Sequence, residues 1–259
     1  MIEFLPVIIL VFSFLLLLFL GVPVAWCIAM SSMLTLMSAM PFTAATTTVS
    51  QRIATGLDSF ALLAIPFFIL SGQIMSKGGI ANRLISFAKT LVGFLPGGLA
   101  LINIVSAMMM GAIAGSAMAS ASAMGTILGP EMEKEGYSKE FGAAVNITSS
   151  TTGLVIPPSN TLIVYSLASG GVSIAALFLA GYIPGILTGL FMMIVAMVWA
   201  KKNNYPIGKK SSLKEVFVKF IDALPSLLLL VIVIGGIIGG IFTATEASAV
   251  AVLYTILLS

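Results

Sequence analysis

Long apolar segments follow one another along almost the whole chain, with only short polar stretches between them. A helix needs about twenty mostly apolar residues to cross a hydrocarbon core roughly 30 Å thick. Charged residues make up 8% of the chain, whereas an average soluble domain carries about 25%. These features predict an all-α polytopic membrane protein. The apolar segments cover 4–20, 22–40, 59–76, 97–113, 117–130, 140–168, 173–200, 225–242 and 245–259.

The segments 97–113 and 117–130 are each short for a full span, and the small-residue stretch GAIAGSAMAS lies between them. This arrangement predicts a re-entrant helical hairpin over 97–130, with its tip near Gly115 and Ser116. Backbone that is not helical is tolerated at membrane depth only where protein or a water-filled cavity surrounds it. The hairpin tip is therefore a candidate for a site inside the membrane.

A second interruption lies in NITSSTTGLVIPPSN, residues 146–160. Pro157 and Pro158 lack the backbone N–H and clash with the preceding turn, so a helix over 140–168 must break near 153–156. The break frees carbonyl oxygens, which together with Ser and Thr hydroxyls suit a cation such as Na⁺. It also frees N–H groups at the next helix start, which favour an anionic group. Secondary transporters build ion and substrate sites from facing broken helices of this kind.

The positions of the Lys and Arg residues predict the orientation of the chain in the membrane. All twelve Lys and Arg residues except Arg52 fall in stretches that lie on one side of the membrane if the N-terminus is periplasmic. The positive-inside rule then places those stretches in the cytoplasm. It predicts a periplasmic loop over 41–58 and a basic cytoplasmic loop over 201–224. The segment 77–90 is amphipathic and too polar to span, which predicts a helix on the cytoplasmic interface.

Composition also limits the function. The chain has no histidine, which excludes a zinc-protease helix and a Ser–His hydrolase, and the net charge of +3 is too small to suggest nucleic acid. Residues 91–130 and 141–200 contain no Asp or Glu, although a proton relay needs an ionisable group in the membrane. The sequence therefore favours a carrier, not an enzyme, with Na⁺ as the coupling ion and no other metal or cofactor. A proton-coupled carrier of another fold is the alternative.

The last segment begins a helix at about Thr245, with Glu246 in its first turn. Fifteen residues remain from there to Ser259, a length of roughly 22 Å at 1.5 Å per residue. This length is too short to cross the membrane, so the sequence analysis predicts a fragment of a longer protein.

Several blocks of sequence, in order, resemble the large membrane subunit (M, DctM-like) of tripartite ATP-independent periplasmic (TRAP) transporters. The blocks are IPFFILSGQIMSKGGIANRL, GAIAGSAMASASAMGTILGPEMEKEGY, ITSSTTGLVIPPSNTLIVYS and GGIFTATEASAVAVLY. The resemblance implies an elevator-type carrier in the bacterial inner membrane that imports organic acids, such as C4-dicarboxylates or sialic acid, with Na⁺. It also implies two partners, a small membrane (Q) subunit and a periplasmic substrate-binding protein (P).

The resemblance places a hairpin tip at Gly115 and Ser116 and a helix break at 153–159. Together with the residue chemistry it predicts two overlapping sets of contacts. The sodium set is Gly115, Ser116, Thr152, Gly153 and Ile156. The substrate set is Ser116, Ser120, Ser150, Thr151, Pro158, Ser159 and Asn160. Many family members have an acidic residue where this chain has Ser120.

The resemblance also divides the chain into parts of the first of two inverted repeats and the start of the second. Residues 1–76 are expected to form scaffold helices, followed by the interfacial helix over 77–90. Residues 91–168 are expected to belong to the transport domain. A helix over 169–200 then returns to the cytoplasm, and the basic loop 201–224 leads into the incomplete second repeat, 225–259.

Overall fold

The computed structural model describes residues 4–259, and all the regular secondary-structure elements within them are helices. Two antiparallel residues, Pro96 and Ile207, form an isolated β-bridge. The all-α prediction is confirmed for these residues. They form two compact units, residues 4–59 and residues 60–259, which are described separately below.

The first unit contains three helices. They are α1 (Leu5–Phe19), α2 (Val24–Met37) and α3 (Phe42–Leu57). Helix α1 is apolar on all sides and buries none of its residues within the chain, as expected for a helix surrounded by lipid.

The stretch 41–58, predicted to be a periplasmic loop, is mostly helical, because α3 occupies most of it. The stretch is rich in threonine, and the threonine hydroxyls bond to carbonyl oxygens of their own helix one turn earlier. Thr47 Oγ1 donates to the Thr43 carbonyl at 2.8 Å, and Thr48 Oγ1 donates to the Ala44 carbonyl at 2.8 Å. These bonds satisfy the polar groups without requiring a loop.

The second unit begins with a short 3-10 turn at 60–63 and holds nine α-helices within residues 60–259. Helix α6 is its centre, since only three of its side chains are even partly exposed. Helices α4, α5, α7, α8 and α10 all pack against α6. The nine helices are α4 (Ala64–Lys77), α5 (Ile80–Val92), α6 (Gly98–Ala114), α7 (Ala117–Lys134), α8 (Lys139–Ser150), α9 (Asn160–Ala168), α10 (Ile174–Lys202), α11 (Leu213–Ile238) and α12 (Ala244–Leu258).

Three helical segments of the described residues are long and apolar enough to cross a membrane. They are Phe60–Lys77, Ile174–Lys202 and Leu213–Ile238. Shorter apolar helices are α1, α2, α6 and α12. These helices fit the predicted polytopic membrane protein.

The basic loop is shorter than predicted, since residues 213–224 belong to α11. Ser212 caps this helix, and its Oγ accepts a hydrogen bond from the Glu215 N–H at 3.2 Å. The Glu215 side chain in the first turn also suits the positive end of the helix dipole. Lys214 and Lys219 thus lie on a capped helix, not in a solvated loop.

The predicted helices over 77–90 and 97–130 are present with shifted ends. The amphipathic helix is α5, which begins after Gly79, a residue with φ of +75°. The second arm of the hairpin, α7, continues through Pro130 to Lys134. Met132, in its last turn, is 1% exposed, so burial of this side chain favours the added turn.

Aromatic rings join the α7–α8 turn to the stretch after α10. The rings of Tyr137 and Tyr205 stack with centroids 4.3 Å apart, and Phe141 stacks on Trp199 at 6.2 Å. The Tyr205 hydroxyl accepts a hydrogen bond from the Ser138 N–H at 3.3 Å. Burial raises the pKa of Tyr137 to about 12, so this phenol is neutral at physiological pH.

Candidate functional site

The hairpin turns through two residues, Gly115 and Ser116. Gly115 has φ of +59° and donates its N–H to the Gly111 carbonyl at 2.8 Å, which ends α6. This left-handed conformation favours glycine. Ser116 is extended, and its Oγ accepts from the Ala119 N–H at 3.4 Å, which caps α7. The sequence-based position of the tip is confirmed as a helix-to-helix turn.

The break at 151–159 also has a defined geometry. Helix α8 ends at Ser150, a 3-10 turn follows at 151–154, and α9 begins at Asn160. The N–H groups of Val155 and Ile156 both donate to the Thr152 carbonyl, at 3.0 and 2.8 Å. The Pro157–Pro158 peptide bond is cis.

Ser159 connects the two sides of this break. Its hydroxyl donates to the Leu154 carbonyl at 2.5 Å and accepts from the Leu162 N–H at 3.3 Å, so it also caps α9. The carbonyls of Ile156 and Pro158 accept no backbone hydrogen bond from residues 4–259. The break therefore holds carbonyl oxygens that could ligate a hard cation.

The hairpin tip and the break lie directly against each other. The Asn160 N–H donates to the Gly115 carbonyl at 3.3 Å. A Cβ atom added to Gly115 would lie 2.9 Å from the Pro158 carbonyl oxygen, and one added to Gly153 would lie 2.7 Å from Gly111 Cα. The contact is thus backbone against backbone.

One side-chain oxygen at this contact lacks a donor. Asn160 Oδ1 is buried and forms no hydrogen bond within residues 4–259. A Cβ atom on Gly115 would lie 3.4 Å from it. Buried polar atoms usually have partners. The unpartnered oxygen beside the tip is therefore a candidate ligand for a bound cation.

The other candidate side chains are distributed around this contact. Ser120 is buried inside the hairpin, where its Oγ donates to the Ala107 carbonyl at 3.1 Å. Thr152 and Ser150 are buried and donate to carbonyls of α8 at 2.6 and 2.7 Å. Thr151 is exposed and donates to the Thr148 carbonyl. The structure therefore brings Gly115 together with Pro158 and Asn160 and packs Gly153 on Gly111, while Ser120 and Thr151 donate to other carbonyls.

A cavity of about 640 Å³ opens beside Ser116. Ser122 and Thr126 line it from α7, and Gln73, Ser76 and Lys77 line it from α4. Ser76 Oγ is buried and has no hydrogen-bond partner within residues 4–259. The cavity thus combines hydroxyl groups, an amide and one cation close to the hairpin tip.

Sequence reasoning missed a polar pair deeper in the same interface. Ser149 Oγ donates to Asn103 Oδ1 at 3.3 Å, and Asn103 is 1% exposed. Asn146 Nδ2 donates to the Ala121 carbonyl at 2.9 Å and so joins α8 to α7. The available signal was an asparagine in an otherwise apolar helix, since a buried amide needs a partner.

Comparison with known proteins identifies a family for this chain. The family model "Tripartite ATP-independent periplasmic transporter, DctM component" matches residues 11–259. A Salmonella typhimurium protein named "Uncharacterized protein YgiK" is 55% identical over 254 residues, which are 98% of this chain and 58% of that protein.

Two relatives have named substrates. The C4-dicarboxylate TRAP transporter large permease protein of Vibrio cholerae is 43% identical over 240 residues, 91% of this chain and 51% of the relative. The sialic acid TRAP transporter large permease protein of the same organism is 38% identical over 252 residues, 96% of this chain and 57% of the relative. The chain thus spans somewhat more than half the length of these relatives. It belongs to the DctM component family of tripartite ATP-independent periplasmic transporters.

Proposed function

We propose that this chain forms part of the membrane permease of a Na⁺-coupled carrier for organic acids. The observation that carries the proposal is the contact between the hairpin tip at Gly115 and the break at 153–160. Carbonyl oxygens of the break and the unpartnered Asn160 Oδ1 meet there. Neutral oxygens of this kind suit Na⁺, and no Asp or Glu within 91–130 or 141–200 is available as a proton carrier.

The cavity beside Ser116 supports a carboxylate as the cargo. Lys77 provides a positive charge at its wall, and Gln73 and Ser122 provide hydrogen-bond donors. The relatives named for C4-dicarboxylate and sialic acid carry substrates with carboxylate groups. We assign this chain an organic acid cargo on these grounds.

We also propose an elevator mechanism, which the same packing supports. The hairpin and the broken helix touch through glycine backbones at Gly111 and Gly153, so they can move as one body. Family membership also supports two proposed partners, a small membrane subunit and a periplasmic binding protein that delivers the substrate. It further supports a location in the inner membrane, and we propose that the N-terminus lies outside.

The test is uptake by the complete transporter in vesicles, with its binding protein supplied. Uptake of a radiolabelled C4-dicarboxylate or sialic acid is measured against Na⁺ concentration at fixed pH, and then against an imposed pH gradient at fixed Na⁺. Ser116→Ala removes one candidate oxygen, and Gly153→Val crowds the turn that presents the carbonyls. Both should raise the Na⁺ concentration needed for half-maximal uptake, and the second should do so more strongly.

Lys77→Gln tests the cargo separately. It should raise the KM for the organic acid while leaving the Na⁺ dependence intact, whereas Lys134→Gln, at the exposed end of α7, should change neither. Uptake that ignores Na⁺ and follows the pH gradient would support the proton-coupled alternative instead. Unchanged Na⁺ dependence in both Ser116→Ala and Gly153→Val would contradict the proposed Na⁺ site at the hairpin tip.

A further inference from the structure

A second large cavity lies away from the hairpin tip and is lined by lysines. Its volume is about 710 Å³. Helix α5, the start of α6, the stretch between α10 and α11, and α11 itself all contribute to its wall. The four lysines are Lys89, Lys209, Lys210 and Lys219.

The charges of this cavity are unbalanced. Two carboxylates, Glu135 and Glu215, line it against four ammonium groups. The ion pair found within residues 4–259 joins Lys139 to Glu133, so none of the four lysines has a carboxylate partner within 4.0 Å in that part of the chain. Lys210 Nζ lies 5.8 Å from the centre of the Phe94 ring. The cavity therefore carries more positive than negative charge, and no ion pair within residues 4–259 engages its lysines.

The remaining wall can accept a phosphate group. Gly98 and Leu99, the first residues of α6, line it, and the residue before them, Gly97, gives no side-chain cap. The N–H groups at a helix start favour an anion. Ser86 and Ser211, whose side chains carry hydroxyl groups, also line the cavity. Cations from several helices, hydroxyls and a helix start are the groups that hold a phosphodiester.

Apolar side chains surround this charged cavity. Leu91, Val218 and Ile207 are 42%, 53% and 63% exposed, and each is adjacent in sequence to a residue of the wall. A soluble phosphate compound would leave these side chains in water. A phospholipid would cover them with its acyl chains while its headgroup enters the cavity. Basic pockets between helices are a known form of lipid-headgroup site.

We propose that this cavity binds the headgroup of an anionic phospholipid. The lysines neutralise its phosphate, and the apolar residues at the rim contact its chains. The site is separate from the hairpin tip and does not depend on the transported substrate.

The test measures lipid retention by the protein in detergent with native mass spectrometry, and thermal unfolding in the same samples. Phosphatidylglycerol is compared with phosphatidylcholine at equal concentration, and inorganic phosphate is added alone in a third arm. The variant Lys89→Gln/Lys210→Gln/Lys219→Gln removes charge from the cavity. The matched control Lys134→Gln/Lys201→Gln/Lys202→Gln removes the same charge from lysines outside it.

The wild-type protein should retain phosphatidylglycerol in preference to phosphatidylcholine and unfold at a higher temperature with it. The cavity variant should lose about a hundredfold in retention, because each of the three lysines near an anionic headgroup contributes about fivefold. The control variant should retain lipid as the wild type does. Glu135→Gln removes a repulsive carboxylate and should increase retention, which keeps the test decisive if the triple variant does not fold.

Three results would overturn the proposal. Equal loss in the control variant would show a general effect of net charge. Equal retention of phosphatidylcholine would show that charge does not select the lipid. Stabilisation by inorganic phosphate alone, with no further gain from phosphatidylglycerol, would assign the cavity to a soluble phosphate.

Discussion

Gly111 of α6 and Gly153 of the helix break lie in backbone contact, with no space for a side chain on either residue. A Cβ atom on Gly153 would lie 2.7 Å from Gly111 Cα, and one on Gly111 would lie 2.9 Å from the Gly153 backbone nitrogen. Both distances are shorter than a carbon contact allows, and the opposing atoms are backbone. The interruption of one helix is thereby fixed against the hairpin.

This contact predicts that Gly111→Ala destabilises the protein. A methyl group in a filled interface forces the backbones apart, which typically costs about 1–3 kcal/mol. The matched control is Gly129→Ala on α7, where a Cβ atom would meet nothing within 4 Å. This control should be neutral or slightly stabilising, since Ala favours a helix over Gly by roughly 1 kcal/mol. Thermal unfolding of both variants measures the difference, and equal midpoints would contradict the contact.

The breaks themselves were predictable from sequence, because Pro157 and Pro158 forbid a continuous helix and Gly115 permits a turn. Their meeting was not predictable. Gly111 lies in an apolar helix with no local signal, and only the tertiary structure selects Gly153 as its neighbour.

Polar composition was the least reliable guide to helix boundaries. The stretches 41–58 and 213–224 lie between the apolar segments and are therefore predicted to be loops. Both are helical because hydroxyl groups bond within the helix in the first case and Ser212 caps it in the second. The orphan oxygen of Asn160 could not be predicted either, since its isolation depends on the packing of two distant segments.

The aromatic cluster at Tyr205 should stabilise the turn between α7 and α8. Tyr205→Phe removes the hydrogen bond from the Ser138 N–H and should cost about 1 kcal/mol. Tyr205→Leu also removes the stacking on Tyr137 and should cost about a further 1 kcal/mol. Chemical unfolding of the two variants should rank them in this order. A Leu variant as stable as the Phe variant would show that the stacking contributes nothing.

The topology predicts which positions an impermeant thiol reagent can reach. On a Cys27→Ser background, a cysteine at Gln51 should react in intact cells, and a cysteine at Lys202 should react only after permeabilisation. Both positions are exposed, so accessibility to solvent is matched. Labelling of the Lys202→Cys variant from outside would reverse the orientation that the positive-inside rule assigns.

Substitution of Asn160 should change ion binding without changing the stability of the fold. Its Oδ1 accepts no hydrogen bond within residues 4–259, and the backbone hydrogen bond from Asn160 to Gly115 does not depend on the side chain. Removing the side-chain amide should therefore not weaken the fold. If this oxygen ligates Na⁺, Asn160→Ala should raise the Na⁺ concentration for half-maximal uptake by about tenfold, which corresponds to about 1.4 kcal/mol.

The control for this prediction is Thr148→Ala, one turn before the break, where the hydroxyl donates to the Ala144 carbonyl at 2.7 Å and lies outside the proposed set of ligands. It should leave the Na⁺ dependence of uptake unchanged. Thermal unfolding without Na⁺ should give the same midpoint for Asn160→Ala and the wild type, whereas added Na⁺ should stabilise only the wild type strongly. A lower midpoint in the absence of Na⁺, with an unaltered sodium response, would make Asn160 a structural residue and remove its oxygen from the proposed ion site.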